Sequence, residues 1–167
     1  MSRLSQQRMQ KIIFTSFKKL LESTKFSNLT MTAIASDALI HRNTIYQYFD
    51  DKFDLLTKYI DFELIDSSVC LIEFESHPFK TIHDISHLSF EKVIIYQHDD
   101  HGFQKVMQNF FIQKIVSSQN DSTIFWAFGK VGSILLWNEL HNDYYNMFTD
   151  YEILDNIYVS KKFPEIP

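Results

Sequence analysis

The sequence predicts an all-α chain in two parts, an N-terminal three-helix unit at about residues 1–48 and a larger helical body at about 49–167. Three observations carry this. Only three Gly and three Pro occur in 167 residues, too few turn-formers for a fold of many short strands. Apolar residues recur at helical spacings of three and four from near the start to about residue 159. Charge is also unevenly spread: residues 1–60 carry +4 and residues 61–167 carry −9, within an overall −5. A basic head on an acidic body is the distribution expected when one end approaches phosphates and the other does not.

The elements follow in order. Met9, Ile12, Ile13, Phe17, Leu20 and Leu21 place a first helix at about 4–23. A short connection, TKFSNL at 24–29, lets Phe26 fold back onto the core. Thr30 or Thr32 can cap the next helix, because a hydroxyl there accepts a bond from one of the first N–H groups, which lack intrahelical partners. Ile34, Ala35 and Ala38 give this helix a narrow apolar face that a second helix can approach closely. After Leu39 and Ile40 a second helix starts. In it Arg42, Asn43, Thr44, Gln47 and Tyr48 point outward, while Ile45 and Phe49, four apart, point inward. Asp50 is placed to cap a fourth helix, with Asp51 and Asp54 near the positive end of its dipole. That helix runs from 52 to about 76, until Pro78 stops it. It is read as the mechanical link between head and body. Further helices are expected at about 79–96, 103–118, 123–142 and 147–159, with the polar run HDDHG at 98–102 as a break.

The stretch at 30–49 carries the functional signal. Arg, Asn and Gln can make bidentate bonds to base edges in the major groove, and Thr and Tyr commonly bond phosphate oxygens. Arg8, Thr32, Ile34-Ala35, Ala38, the run Thr44-Ile45-Tyr46-Gln47-Tyr48-Phe49, Lys52 and Leu55-Leu56 follow in that order. In these residues the chain resembles the TetR family of bacterial transcriptional regulators, closely over the first sixty residues and loosely beyond. The resemblance implies a cytoplasmic helix-turn-helix protein that binds double-stranded DNA as a homodimer. It also implies repression of a palindromic operator as the default, and release by a small-molecule effector. It places Arg42, Asn43, Thr44 and Gln47 at bases or in the groove, and Thr32, Tyr46, Tyr48 and Lys52 at phosphates; for Tyr46 a core position is the other reading. Two residues depart from the family pattern. Leu39 stands where the turn usually carries Gly, and His41 where Ser or Thr usually caps the recognition helix. A non-Gly residue in a left-handed turn costs about 1 kcal/mol, so the turn is either strained or differently shaped.

In the body, sixteen Phe and eight Tyr are a heavy aromatic load. Phe103, Met107, Phe110, Phe111 and Trp126 could line an effector cavity or simply fill the core. Gly inside a helix costs about 1 kcal/mol against Ala, so Gly129 and Gly132 in one helix suggest a close helix approach. With Phe125, Phe128, Leu136 and Trp137 they resemble the family's dimer interface, the alternative being a tightly packed monomer core. Other chemistry has little support. His83 and His87 sit four apart without a third metal ligand, and His98-Asp99-Asp100-His101 reads as a solvated connection. No nucleophile motif or phosphate-cradling Gly loop occurs, so neither an enzyme nor a metal or organic cofactor is expected. A single cysteine, Cys70, excludes an internal disulfide. No apolar run reaches membrane-spanning length, and the polar opening MSRLSQQRMQK carries no signal sequence. The rival within binding proteins is a coactivator or adaptor that uses the same head to hold another protein.

Overall fold

A computed structural model describes residues 3–64, 71–118 and 122–165, and among them all regular structure is helical. The helices are α1 (Arg3–Leu21), α2 (Met31–Asp37), α3 (Arg42–Ile45), α4 (Lys52–Leu64), α5 (Pro78–Gln97), α6 (His101–Ser118), α7 (Ser122–Leu140) and α8 (Tyr151–Ser160). Two 3-10 turns, Phe26–Asn28 and Leu71–Glu75, interrupt them. No described helix is long and apolar enough to cross a membrane.

Head and body share one contiguous core. Ile13, Phe17 and Leu21 of α1 meet Ile34 of α2, Ile45 of α3 and Leu55, Leu56 and Tyr59 of α4, all with 1% exposure or less. The same cluster continues through Phe79, Val93 and Ile94 of α5 and Phe103 and Met107 of α6 to Phe148 and Leu154. Phe26 joins the two parts. Its fully buried ring lies 6.5 Å from that of Phe17, 5.4 Å from Phe53 and 6.3 Å from Phe103, so α1, α4 and α6 converge on it in edge-to-face contacts.

Several boundaries differ from the sequence reading, each for a local reason. Asp51, not Asp50, caps α4: its Oδ1 accepts from the N–H groups of Phe53 and Asp54, both at 2.8 Å, while Asp54 reaches back to the N–H of Asp50 at 3.1 Å. The long helix expected to reach residue 76 is described as α-helix over Lys52–Leu64, and it does not extend to residue 76. The segment 71–75 is instead a 3-10 turn that buries Phe74, and its Glu75 carbonyl accepts from the Tyr158 hydroxyl at 2.8 Å. Residues 65–70, Cys70 among them, lie outside the described part. His77 precedes Pro78 with φ −138° and ψ 68°, outside the α region that a residue before proline avoids, and its side chain does not cap α5. That cap comes from α8, where the buried Asp155 accepts from Phe79 N–H at 3.0 Å and Lys80 N–H at 2.9 Å. Burial pushes the Asp155 pKa up against these bonds. Ile95 is 59% exposed, because Val93 and Ile94 take the buried side of α5.

The polar break at 98–102 is shorter than its composition suggests, and Asp100 is not solvated. It is 5% exposed and caps α6, accepting from Phe103 N–H at 2.9 Å. It also receives the N–H and hydroxyl of Ser27 at 2.7 and 2.8 Å. Gly102 permits this approach: a Cβ there would stand 3.2 Å from both Asp100 Oδ1 and Ser27 Oγ. Burial pushes the Asp100 carboxyl up, but the donors from Ser27, Phe103 and Gly102 outweigh it and hold the pKa below the ordinary value.

This shift fixes a pH dependence. A carboxylate whose folded pKa is depressed gives its full stabilisation above the unfolded value, about 3.9, and loses it as pH falls through the folded value. Asp100→Asn is expected to lower stability by about 1–3 kcal/mol in urea denaturation at neutral pH. The difference from the parent protein should shrink as the medium is acidified below about pH 4. A gap that stays constant into acid would show that the charge of Asp100 contributes nothing.

Candidate nucleic-acid interface

The segment 30–49 folds as helix, turn and helix, each boundary set by an identifiable bond. Thr30 is extended at the N-cap of α2, and its hydroxyl accepts from Ala33 N–H at 3.1 Å. Ile34, Ala35 and Ala38 face the core, whereas Thr32, Ala33 and Ser36 are exposed. The helix ends in a Schellman motif: Ile40 N–H bonds the Ala35 carbonyl at 3.0 Å, and Leu39 N–H bonds that of Ser36 at 3.1 Å. This motif needs a left-handed residue between them, and Leu39 supplies it with φ 55°. Of the two shapes open from sequence, the turn therefore keeps the geometry suited to glycine and carries the strain of a Cβ. The Leu39 side chain is 92% exposed, so no packing visible in the monomer offsets that cost.

His41 does act as a cap. Its Nδ1 accepts from Asn43 N–H at 3.2 Å, which requires that nitrogen to be unprotonated. The α-helical part of α3 is a single turn, but Gln47 N–H and Tyr48 N–H extend it as 3-10 bonds to Thr44 and Ile45 at 3.1 Å. Along this arc Ile45 and Phe49 are buried at 0% and 1%. Arg42, Asn43 and Gln47 are exposed, Thr44 is half-buried, and Tyr46 is 43% exposed with the Arg42 guanidinium 5.7 Å from its ring centre. Tyr48 is half-buried beside Phe49, with ring centres 6.4 Å apart. The exposed face of α3 and its 3-10 extension thus presents one guanidinium, two carboxamides and a phenol.

Lys52, expected at a phosphate, is placed otherwise. Its ammonium donates to the carbonyls of Phe26 and Ser27, both at 2.9 Å, and of Leu29 at 3.1 Å, and it lies 4.9 Å from the centre of the Phe26 ring. An ammonium has three N–H donors, and three carbonyls take them. Other cations of the head are also engaged. Lys19 pairs with Asp37 at 2.7 Å, Lys58 with Asp54 at 2.7 Å, and Lys25 with Asp99.

On the body, Phe103, Met107, Phe110 and Phe111 are at most 5% exposed and belong to the contiguous core. Two grooves run elsewhere. A polar one of about 460 Å³ lies between α6 and α7, bordered by His101, Gln104, Gln108 and Glu139. An apolar one of about 440 Å³ lies between α7 and α8, bordered by Trp126, Ile134, Ile157 and Phe163. Trp126 therefore sits away from the four residues grouped with it from sequence, and is 70% exposed. Along α7, Trp126, Gly129, Ser133, Leu136 and Leu140 form an exposed seam spaced three, four, three and four. Among the described residues, nothing beyond the chain neighbours and the helix's own backbone comes within 4 Å of a Cβ built at Gly129 or Gly132, so no described contact within the chain explains them. Phe128 is half-buried, and Trp137 turns inward onto Phe163 and Tyr145, with ring centres 4.6 and 6.3 Å away. The Phe125 side chain lies outside the described part. His83 stacks on Tyr151 and bonds the Phe148 carbonyl at 2.8 Å. Among the described residues no three candidate ligands gather into a metal site.

No family model matches the chain, and no curated protein matches it in sequence. Solved structures resemble it only distantly. NalD, the secondary repressor of the MexAB-OprM multidrug efflux pump in Pseudomonas aeruginosa, is 13% identical over 92% of this chain and 95% of its own, with a TM-score of 0.45. A Clostridium perfringens protein described as a fatty acid metabolism regulator is 14% identical over 92% of this chain and all of its own, with a TM-score of 0.38. Likeness at this level leaves any functional reading to rest on the residues of 30–49.

The local geometry makes two stability predictions. Leu39→Gly is expected to raise stability by about 0.5–1 kcal/mol, since it relieves the left-handed strain at a site whose side chain touches little. An unchanged or lowered urea midpoint would mean the turn is not strained. Lys52→Met is expected to cost about 2–3 kcal/mol, because it leaves three carbonyls without their charged donor. A loss under 0.5 kcal/mol would return Lys52 to the surface role expected from sequence.

Proposed function

We propose that this chain is a sequence-specific DNA-binding transcriptional regulator that works as a twofold dimer, with repression as the default sign. The observation that carries the reading is the helix-turn-helix at 30–49, where a Thr30-capped α2 and a His41-capped α3 are locked by the Leu39 turn. Buried Ile45 and Phe49 anchor α3, which leaves Arg42, Asn43 and Gln47 free to face a groove. The guanidinium suits guanine O6 and N7, and a carboxamide suits adenine N6 and N7. Thr44 adds a further polar group on this helix. Thr32 and Tyr46, both exposed, are assigned to phosphates, with Tyr48 contributing its exposed edge. Lys52 supports the reader from behind rather than touching DNA.

Dimerisation is assigned to α7. Its open seam of Trp126, Gly129, Ser133, Leu136 and Leu140 is the surface a second copy would cover, and Gly129 lets two helix backbones approach. Two reading helices related by a twofold axis fit an inverted repeat with half-sites about 34–36 Å apart. Since Phe103, Met107, Phe110 and Phe111 serve the core, a small-molecule effector would have to use a groove on the body surface.

The test is selection of bound duplexes from a randomised pool at near-physiological salt. The expected outcome is an enriched inverted repeat, on which Arg42→Ala costs about 1–3 kcal/mol and relaxes preference at one position per half-site. Equal losses on the repeat and on random DNA would remove Arg42 from the reading role. No enrichment at all would favour the adaptor, in which the same face holds a protein.

A further inference from the structure

The connection between α1 and α2 is held by side chains that come from far along the chain. The Ser23 carbonyl accepts from the Tyr96 hydroxyl at 2.8 Å. Gln97, fully buried at the end of α5, donates its amide to the carbonyls of Leu21 and Thr24 at 2.6 and 2.7 Å and accepts from Phe26 N–H at 2.8 Å. Asp100 takes the N–H and the hydroxyl of Ser27, and Lys25 reaches Asp99 and the Tyr96 carbonyl. From the other side Lys52 of α4 holds the carbonyls of Phe26, Ser27 and Leu29. One residue further on, Thr30 caps the first helix of the reader.

The corner between α5 and α6 therefore grips the strand of chain that leads into α2. A buried carboxamide with three bonds and a carboxylate shared between Ser27 and the first turn of α6 tolerate displacements of only a few tenths of an ångström before bonds are lost. Any shift of the α6 N-terminus moves Ser27 with it, and α2 follows.

We infer that Gln97 and Asp100 are positioning residues for the reader: by fixing the connection 22–29 against the α5–α6 corner, they set the angle at which α2 and α3 leave the body. The inference rests on the dimeric DNA reading proposed above, and it adds that the spacing of the two reading heads is set at this corner as well as along α4. The corner is also where the α6–α7 groove starts, since His101 and Gly102 border that groove.

Destabilisation and loss of positioning have different signatures. A variant that is merely less stable has fewer active molecules and binds every duplex more weakly by the same factor. A variant with a loosened head loses discrimination between half-site spacings. The experiment measures affinity for the selected repeat and for versions with one base pair added or removed between half-sites, using the full chain and its Asp100→Asn and Ser27→Ala variants. Both variants are expected to reduce the preference for the selected spacing at least fivefold. Retention of that preference in both, with or without a uniform loss of affinity, would overturn the inference while leaving DNA reading intact. Failure of the parent protein to enrich any repeat would sink both. Amide hydrogen exchange without DNA gives an independent readout: Phe26 and Ser27 N–H should be protected in the parent and should exchange faster in Asp100→Asn than the other amides of the head. Equal protection in that variant would show that the grip does not depend on Asp100.

Discussion

Anchoring a connection without regular structure is the constraint on which the rest of this molecule depends. Residues 22–29 cross from α1 to α2 against the α5–α6 corner with only Phe26 and Leu29 buried, and the N–H and C=O groups around those two residues require partners. A 3-10 turn of three residues supplies few of its own. Gln97, Asp100, Lys52 and Tyr96 supply the others, and Phe26 fills the space among α1, α4 and α6. Remove these side chains and the shared core would still join head and body, but the connection would lose the directional bonds that fix its position. The aromatic contacts provide cohesion, and the directional bonds provide register.

Much of the reader could be inferred from local sequence because its determinants are local. A threonine cap at 30 or 32, the inward set of Ile34, Ala35, Ala38, Ile45 and Phe49, and the outward set of Arg42, Asn43 and Gln47 follow from helix period and capping alone, and the fold then selects Thr30. Even the departures at Leu39 and His41 sat where the turn and the cap occur. Less visible were roles that depend on partners more than twenty residues away. Lys52 near a helix start looks like a phosphate ligand until the carbonyls of the 26–29 turn are folded against it. Asp100 within a run of His and Asp looks solvated, and Gln97 gives no signal at all; each acquires its role from partners more than seventy residues earlier in the chain. The body aromatics were ambiguous for a different reason. Helical spacing shows that they face inward, not whether a space remains among them.

The head's charge has a second consequence. Lys19, Lys25, Lys52 and Lys58 contribute to the positive balance of the first sixty residues, yet each is engaged with a carboxylate or a carbonyl. A basic count therefore overstates the charge available to phosphates. On the proposed reading helix Arg42 carries the positive charge, with Asn43, Gln47 and Tyr46 as uncharged neighbours. For the DNA interface proposed above, this composition favours directional hydrogen bonds over counterion release, and affinity should fall with salt less steeply than for a lysine-rich reader.

The two tryptophans of this chain occupy opposite environments on one helix. Trp137 is half-buried against Phe163, Tyr145 and His141, whereas the Trp126 indole is 70% exposed on the α7 seam. The protein thus carries its own optical reporter of the self-association proposed above. Emission from Trp126 moves to shorter wavelength when another surface displaces water from the seam, a larger change than half-buried Trp137 can show. With no label attached, dilution of the purified chain would separate the two signals.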